Sequence, residues 1–85
     1  MAYETINTET AVQIIEASPE CTVTFRKKDS TEMRVMRCLP FGKSVNAGDK
    51  RNLLVYDLDK KGIRTIRKAN IRFVQSVINT YTVKG

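Results

Sequence analysis

From Cys21 to Ile78 the chain alternates apolar and polar side chains in short runs separated by turn residues. Cys21-Thr22-Val23-Thr24-Phe25-Arg26 is rich in β-branched residues and reads as a strand. Lys27-Lys28-Asp29-Ser30 is turn chemistry. Alternation resumes from Thr31 to Leu39, with Met33, Val35 and Leu39 on one face. Leu53-Leu54-Val55-Tyr56-Asp57-Leu58 is nearly continuous in apolar residues, the pattern of a strand covered on both faces. Asp59-Lys60-Lys61-Gly62 reads as a four-residue hairpin loop and Ile63-Arg64-Thr65-Ile66-Arg67 as its return strand. That loop sets Val55 opposite Ile66 and Asp57 opposite Arg64. Lys68-Ala69-Asn70 fits a single 3₁₀ turn. Ile71 to Ile78 is a last strand, with Val74 and Ile78 on one face and Ile71, Phe73 and Val77 on the other.

Ahead of the strands the period changes. Across residues 8–17 the pattern predicts a helix with Ala11, Ile14 and Ile15 on one stripe. Asn7 or Thr8 caps its start, Glu9 suits the first turn, and Pro19 ends it by forcing Ser18 towards extended geometry. Three turns are marginal alone, so this helix must dock. The tail, residues 79–85, extends an edge or frays. The fold class is therefore mainly β: one N-terminal helix and a five-stranded antiparallel sheet over residues 21–78. Such a sheet closes naturally as an Sm-like or SH3-like barrel, which also removes exposed edges.

The first hairpin admits two registers. A two-residue turn at Asp29-Ser30 sets Cys21 opposite Cys38 and Phe25 opposite Arg34. A three-residue loop at 28–30 pairs Phe25 with Met33 and Val23 with Val35. The second matches apolar to apolar and is the register expected where one face is buried. It puts the two cysteines on opposite faces, where they stay free thiols and serve as small buried hydrophobes. It also asks Ser30 to adopt a left-handed conformation.

Composition narrows the chemistry. Eighty-five residues make one domain, and a hydrophobic fraction of 41% with 28% charged residues is ordinary for a soluble chain. No apolar run is long enough for a transmembrane helix or a secretory signal, and two cysteines are too few for a stapled secreted domain, so a cytoplasmic setting is expected. The absence of His excludes a His-based triad and a His-containing zinc site. The net charge of +6 is unevenly spread: residues 1–25 carry four Glu and no Lys or Arg, whereas residues 26–85 sum to +10. A polyanionic partner follows naturally; surplus cations that merely keep a small protein soluble give the same composition.

The densest basic group is Arg64, Arg67, Lys68 and Arg72. Arginine offers bidentate donors to phosphate, so the group can cradle one. It equally fits a solvated outer face with an Arg64–Asp57 pair. Arg64 and Arg67 fall on opposite faces of an ideal strand and converge only if that strand bends. Arg26, Lys27, Lys28, Lys60 and Lys61 occupy the two hairpin turns and could grip a phosphate backbone together. Tyr56 flanks the basic group and is the first candidate for base stacking, with Phe41 as an alternative; Phe25 and Phe73 read as core. Residues 40–52 form a long loop carrying Lys43, Lys50 and Arg51. Asp57 and Asp59 could form an acid–base pair, but a turn-initiating Asp59 and an ion-paired Asp57 explain them more cheaply. With no Gly-rich phosphate loop, metal spacing or activated nucleophile, a non-enzymatic protein without a cofactor is expected.

Three segments resemble a known family. Val23 to Glu32 followed by Met36-Arg37-Cys38-Leu39 is similar to the first hairpin of phage-encoded WYL-like small barrels. Leu54 to Leu58 with Gly62 to Arg67 resembles their second hairpin, and Ile71-Arg72-Phe73-Val74-Gln75-Ser76-Val77 their closing strand. The resemblance implies an Sm-like SH3 barrel acting in the host cytoplasm, and a ligand that is nucleic acid or nucleotide-like. The chain departs from the pattern at Ile63, where an aromatic is frequent, and at Ser30, where Gly is usual. A regulatory or counter-defence role through nucleic-acid or nucleotide binding follows from this reading. Its alternatives are an inhibitor that docks on a host protein through an exposed edge or the acidic helix, and a ring-forming structural homo-oligomer.

Overall fold

The computed structural model describes residues 4–40, 51–77 and 79–84. In chain order the elements are β1 (Glu4–Asn7), α1 (Thr8–Ala17), β2 (Cys21–Arg26), β3 (Met33–Pro40), β4 (Asn52–Asp57), β5 (Gly62–Arg67), a 3₁₀ turn (Lys68–Asn70), β6 (Ile71–Gln75) and β7 (Thr80–Lys84). The fold is mainly β with one short helix. The seven strands form one mixed sheet in the order β1-β7-β6-β2-β3-β4-β5. All five expected strands are present and antiparallel, and two more extend the sheet. Of the two outcomes open for the tail, the described residues 80–84 extend the sheet as β7, which pairs antiparallel with β6 and is covered in turn by β1, parallel to it. β1 and β5 are the edges of the ladder.

Local chemistry explains the boundaries. Asn7 caps α1 by accepting a hydrogen bond from the Thr10 N–H at 2.8 Å. At the other end the Ser18 N–H and hydroxyl both donate to the Ile14 carbonyl, at 3.0 and 2.6 Å. Ser18 itself is extended, as the following Pro19 requires. The helix buries Ala11, Val12 and Ile15, with Ile14 half-buried at the margin, so the docked stripe is rotated slightly from the expected one. It packs on β1, β3, β6 and β7 over a core that includes Val23, Val55, Ile66, Ile71 and Val74. Among the described residues no helix is long and apolar enough to cross a membrane.

Both hairpin registers differ from expectation. β2 and β3 pair Cys21 with Cys38, Val23 with Met36 and Phe25 with Arg34. The hairpin is closed by Lys27 N–H donating to the Glu32 carbonyl at 2.9 Å, which leaves a four-residue loop. A four-residue loop has the parity of a two-residue one, so the apolar-matched alternative is overturned. Cys21, Val23, Met36 and Cys38 are buried, whereas Met33 and Val35 stand 43% and 64% exposed on the outer face. The left-handed residue is Asp29 (φ 57°), not Ser30; Asp tolerates that region better than most side chains. In the second hairpin Asp57 pairs with Gly62, Val55 with Arg64 and Leu53 with Ile66. The slip of two residues preserves every face and makes Asp57–Arg64 a diagonal contact. Leu53, Val55 and Asp57 are buried while Leu54, Tyr56 and Leu58 are half-buried, so β4 is not covered equally on both faces.

β6 contains a bulge. Thr24 pairs with Phe73 but Phe25 pairs with Ile71, leaving Arg72 as the extra residue. The bulge reverses parity, so Ile71 and Val74 are both fully buried and Phe73 is 40% exposed. Ile78, expected beside Val74, lies outside the described residues.

Candidate functional site: a basic cleft

The cations expected to act together do not stay together. Arg64 sits 3.9 Å from the Asp57 carboxylate, Nε to Oδ2. Arg72, turned by the bulge, donates through Nη1 to the carbonyls of Ala69 and Ile71 at 2.8 and 3.2 Å, tying down the 3₁₀ turn. The Lys68 N–H donates to the Arg51 carbonyl at 2.9 Å, which anchors the same turn to the start of β4. Lys27 faces Glu32 at 3.9 Å. Lys60 lines a second cleft of about 220 Å³ together with Arg34, Asp57 and Asp59, where two carboxylates offset the two cations. Lys61, exposed in the second turn, takes a left-handed conformation (φ 55°). Tyr56 is half-buried, paired across the sheet with Leu39 and Ile63. Phe41, Lys43 and Lys50 lie outside the described residues.

A different set converges. Phe25, Arg26, Lys28, Asn52, Thr65, Arg67 and Asn70 line a half-open cleft of about 290 Å³. Thr65 and Arg67 share a face of β5, and Asn52 stands directly opposite Arg67 on β4. The 3₁₀ turn then carries the chain from the end of β5 to Ile71, whose partner is Phe25 near the end of β2. That connection brings the end of the β4–β5 hairpin against the end of β2 and its turn, although they are distant in the sheet order. Asn70 lines the seam between them.

The electrostatics are one-sided. Among the described residues, three cations line the cleft and no carboxylate does. Among the described residues, no acid forms an ion pair with Arg26, Lys28 or Arg67. The amides of Asn52 and Asn70 and the Thr65 hydroxyl add neutral donors and acceptors, and Phe25 supplies an aromatic wall. The arrangement can hold a phosphate or similar oxyanion and place a flat group beside Phe25. The sequence pointed to Arg26, Lys28 and Arg67. It hid Asn52, Thr65 and Asn70, which carry no motif, and assigned Phe25 to the core alone.

The two carboxylates considered for acid–base work are engaged structurally. Asp57 Oδ1 accepts hydrogen bonds from the N–H groups of Asp59 and Lys60, at 2.9 and 3.1 Å. Asp59 meets Arg37 at 3.5 Å. Among the described residues, no group of three His, Cys, Asp or Glu side chains is placed to share a metal ion. No family model, curated protein or solved structure matches this chain.

Proposed function

We propose that this protein is a non-enzymatic binding module for nucleic acid or a nucleotide-type anion, with a phosphate seated in the cleft of Arg26, Lys28 and Arg67. The observation that carries the reading is the acid-free lining with three cations that no described carboxylate neutralises. A phosphate entering it exchanges water for charge-assisted hydrogen bonds. The cleft is small by the standard of ligand pockets, which suits one phosphate with its sugar or base, or one step of a strand backbone. The strand order β6-β2-β3-β4-β5, with a 3₁₀ turn joining β5 to β6, supports an Sm-like reading of the central five strands. A regulatory or counter-defence role in the host cytoplasm rests on the sequence resemblance to phage WYL-like barrels alone.

The test is fluorescence anisotropy with a labelled single-stranded oligonucleotide across a salt series. Each of Arg26→Gln and Arg67→Gln should weaken binding by about 1–2 kcal/mol, the range of a charge-assisted contact partly open to solvent. Arg64→Gln and Lys60→Gln should change it less than about twofold, because Arg64 lies 3.9 Å from the Asp57 carboxylate and Lys60 lines a separate cleft with Asp57 and Asp59. No binding at low salt, or equal losses from all four variants, would overturn the proposal.

A second reading, docking on a host protein, draws on the outer face. Val35, Thr24, Phe73 and Thr82 follow one another across β3, β2, β6 and β7, and Val35 and Phe73 are exposed there. Association that survives high salt and is lost in Val35→Asp would favour it.

A further inference from the structure

The register that overturned the expected cysteine placement has a chemical consequence. Cys21 and Cys38 are directly opposed on antiparallel strands, and their sulfurs lie 3.8 Å apart in a thiol–thiol hydrogen bond. Directly opposed residues in such a ladder have Cα atoms about 4.5–5.5 Å apart, inside the about 4.4–6.8 Å that a disulfide spans. The cross-strand spacing is therefore compatible with a disulfide.

The two thiols are not equivalent. A small surface cleft of about 130 Å³ is lined by Glu20, Cys21, Thr22, Gln75, Ser76 and Val77. Cys21 is 2% exposed, and Cys38 is completely buried. The cleft has room for a molecule little larger than water, whose share of liquid volume is about 30 Å³.

We propose that Cys21 and Cys38 form a peroxide-reactive dithiol, in which Cys21 meets the oxidant at this cleft and Cys38 resolves it to an intramolecular disulfide. The hydrogen bond from Cys38 holds the Cys21 thiol below its ordinary pKa, against the opposing effects of burial and the Glu20 carboxylate. The same bond and burial push Cys38 up, so it keeps its proton. The Cys21 thiolate attacks one peroxide oxygen, the O–O bond breaks, and hydroxide leaves and is protonated to water. Cys21 is then a sulfenic acid. The Cys38 sulfur attacks the sulfenic sulfur, the S–S bond forms, and the hydroxyl leaves as water with the Cys38 proton. Two thiols and one hydrogen peroxide give one disulfide and two waters, and peroxide is the species reduced. This site is independent of the basic cleft and does not rest on the binding function.

The reduced protein is treated with excess hydrogen peroxide and followed by intact mass and by free-thiol count after denaturation. The thiol count is blind to methionine oxidation. Both thiols should disappear together in the monomer, with a loss of about 2 Da. In Cys38→Ser, Cys21 should accumulate as a sulfenic acid trapped by dimedone. In Cys21→Ser, Cys38 should be trapped at least about tenfold more slowly, since its sulfur is completely buried. The wild-type readouts stand even if a variant folds poorly. The proposal is overturned if the folded protein keeps both thiols under conditions that oxidise the urea-unfolded chain. It is equally overturned if only intermolecular disulfides form, or if the two variants trap dimedone at the same rate.

Discussion

Asp57 closes β4 and is the buried charged side chain among the described residues, 5% exposed. Its Oδ1 accepts from two backbone N–H groups of the second turn, while Oδ2 lies 3.9 Å from Arg64. Asp57→Ala removes the shared acceptor of both bonds at once. Hydrogen bonds to a charged group contribute about 1.5–3 kcal/mol each, but Asp59 and Lys60 are exposed, so water recovers part of the loss. A net cost of about 2–4 kcal/mol follows. The same turn holds Lys61 in a left-handed conformation, which costs roughly 1–2 kcal/mol and leans on those bonds. Asp57→Asn keeps an oxygen acceptor and should cost about half as much. Arg64→Gln should cost less than about 0.5 kcal/mol, because Arg64 is half exposed and the contact is screened. Urea unfolding followed by circular dichroism separates the three, and about 4–8 °C of melting temperature accompanies each kcal/mol in a chain of this size. If Asp57→Ala costs no more than Arg64→Gln, the turn does not depend on this acceptor and the reasoning fails.

Two further stability predictions concern the helix. Ile15 is completely buried, so Ile15→Ala should cost about 2–5 kcal/mol, and half-buried Ile14→Ala clearly less; equal losses would mean the docked stripe is misassigned. Asn7→Ala should cost about 1 kcal/mol through the lost cap, with Asn7→Asp restoring most of it; an unchanged unfolding midpoint for Asn7→Ala would deny the cap a role.

The helix and five strands were readable because each has its own period and punctuation: Asn7 and Pro19 around the helix, and β-branched alternation in the strands. β1 was not, because four residues running straight into a helix cap leave too little pattern to separate from the helix. The hairpin registers were not readable either. Pairing Phe25 with Arg34 looks unfavourable until the sheet is seen to end there, with Arg34 exposed and Phe25 only half-buried. The bulge at Arg72 explains why Ile71 and Val74, on opposite faces by simple alternation, both enter the core. The bulge also redistributed the candidate site. Arg64, Arg67, Lys68 and Arg72 are neighbours in sequence, but only Arg67 lines the basic cleft. Its companions come from the β2 end and from β4, a juxtaposition set by the 3₁₀ connection that linear spacing does not reveal.

The most direct test of the basic cleft is the backbone amide spectrum of the protein titrated with a nucleoside monophosphate and, separately, with inorganic phosphate, at low salt. Saturable shifts should concentrate at Arg26, Lys28, Asn52, Thr65, Arg67 and Asn70, leave the Lys60–Lys61 turn unchanged, and shrink in Arg67→Gln. Shifts centred on the Lys60–Lys61 turn or on the outer face at Val35 and Phe73, or no saturable shift at all, would contradict the assignment.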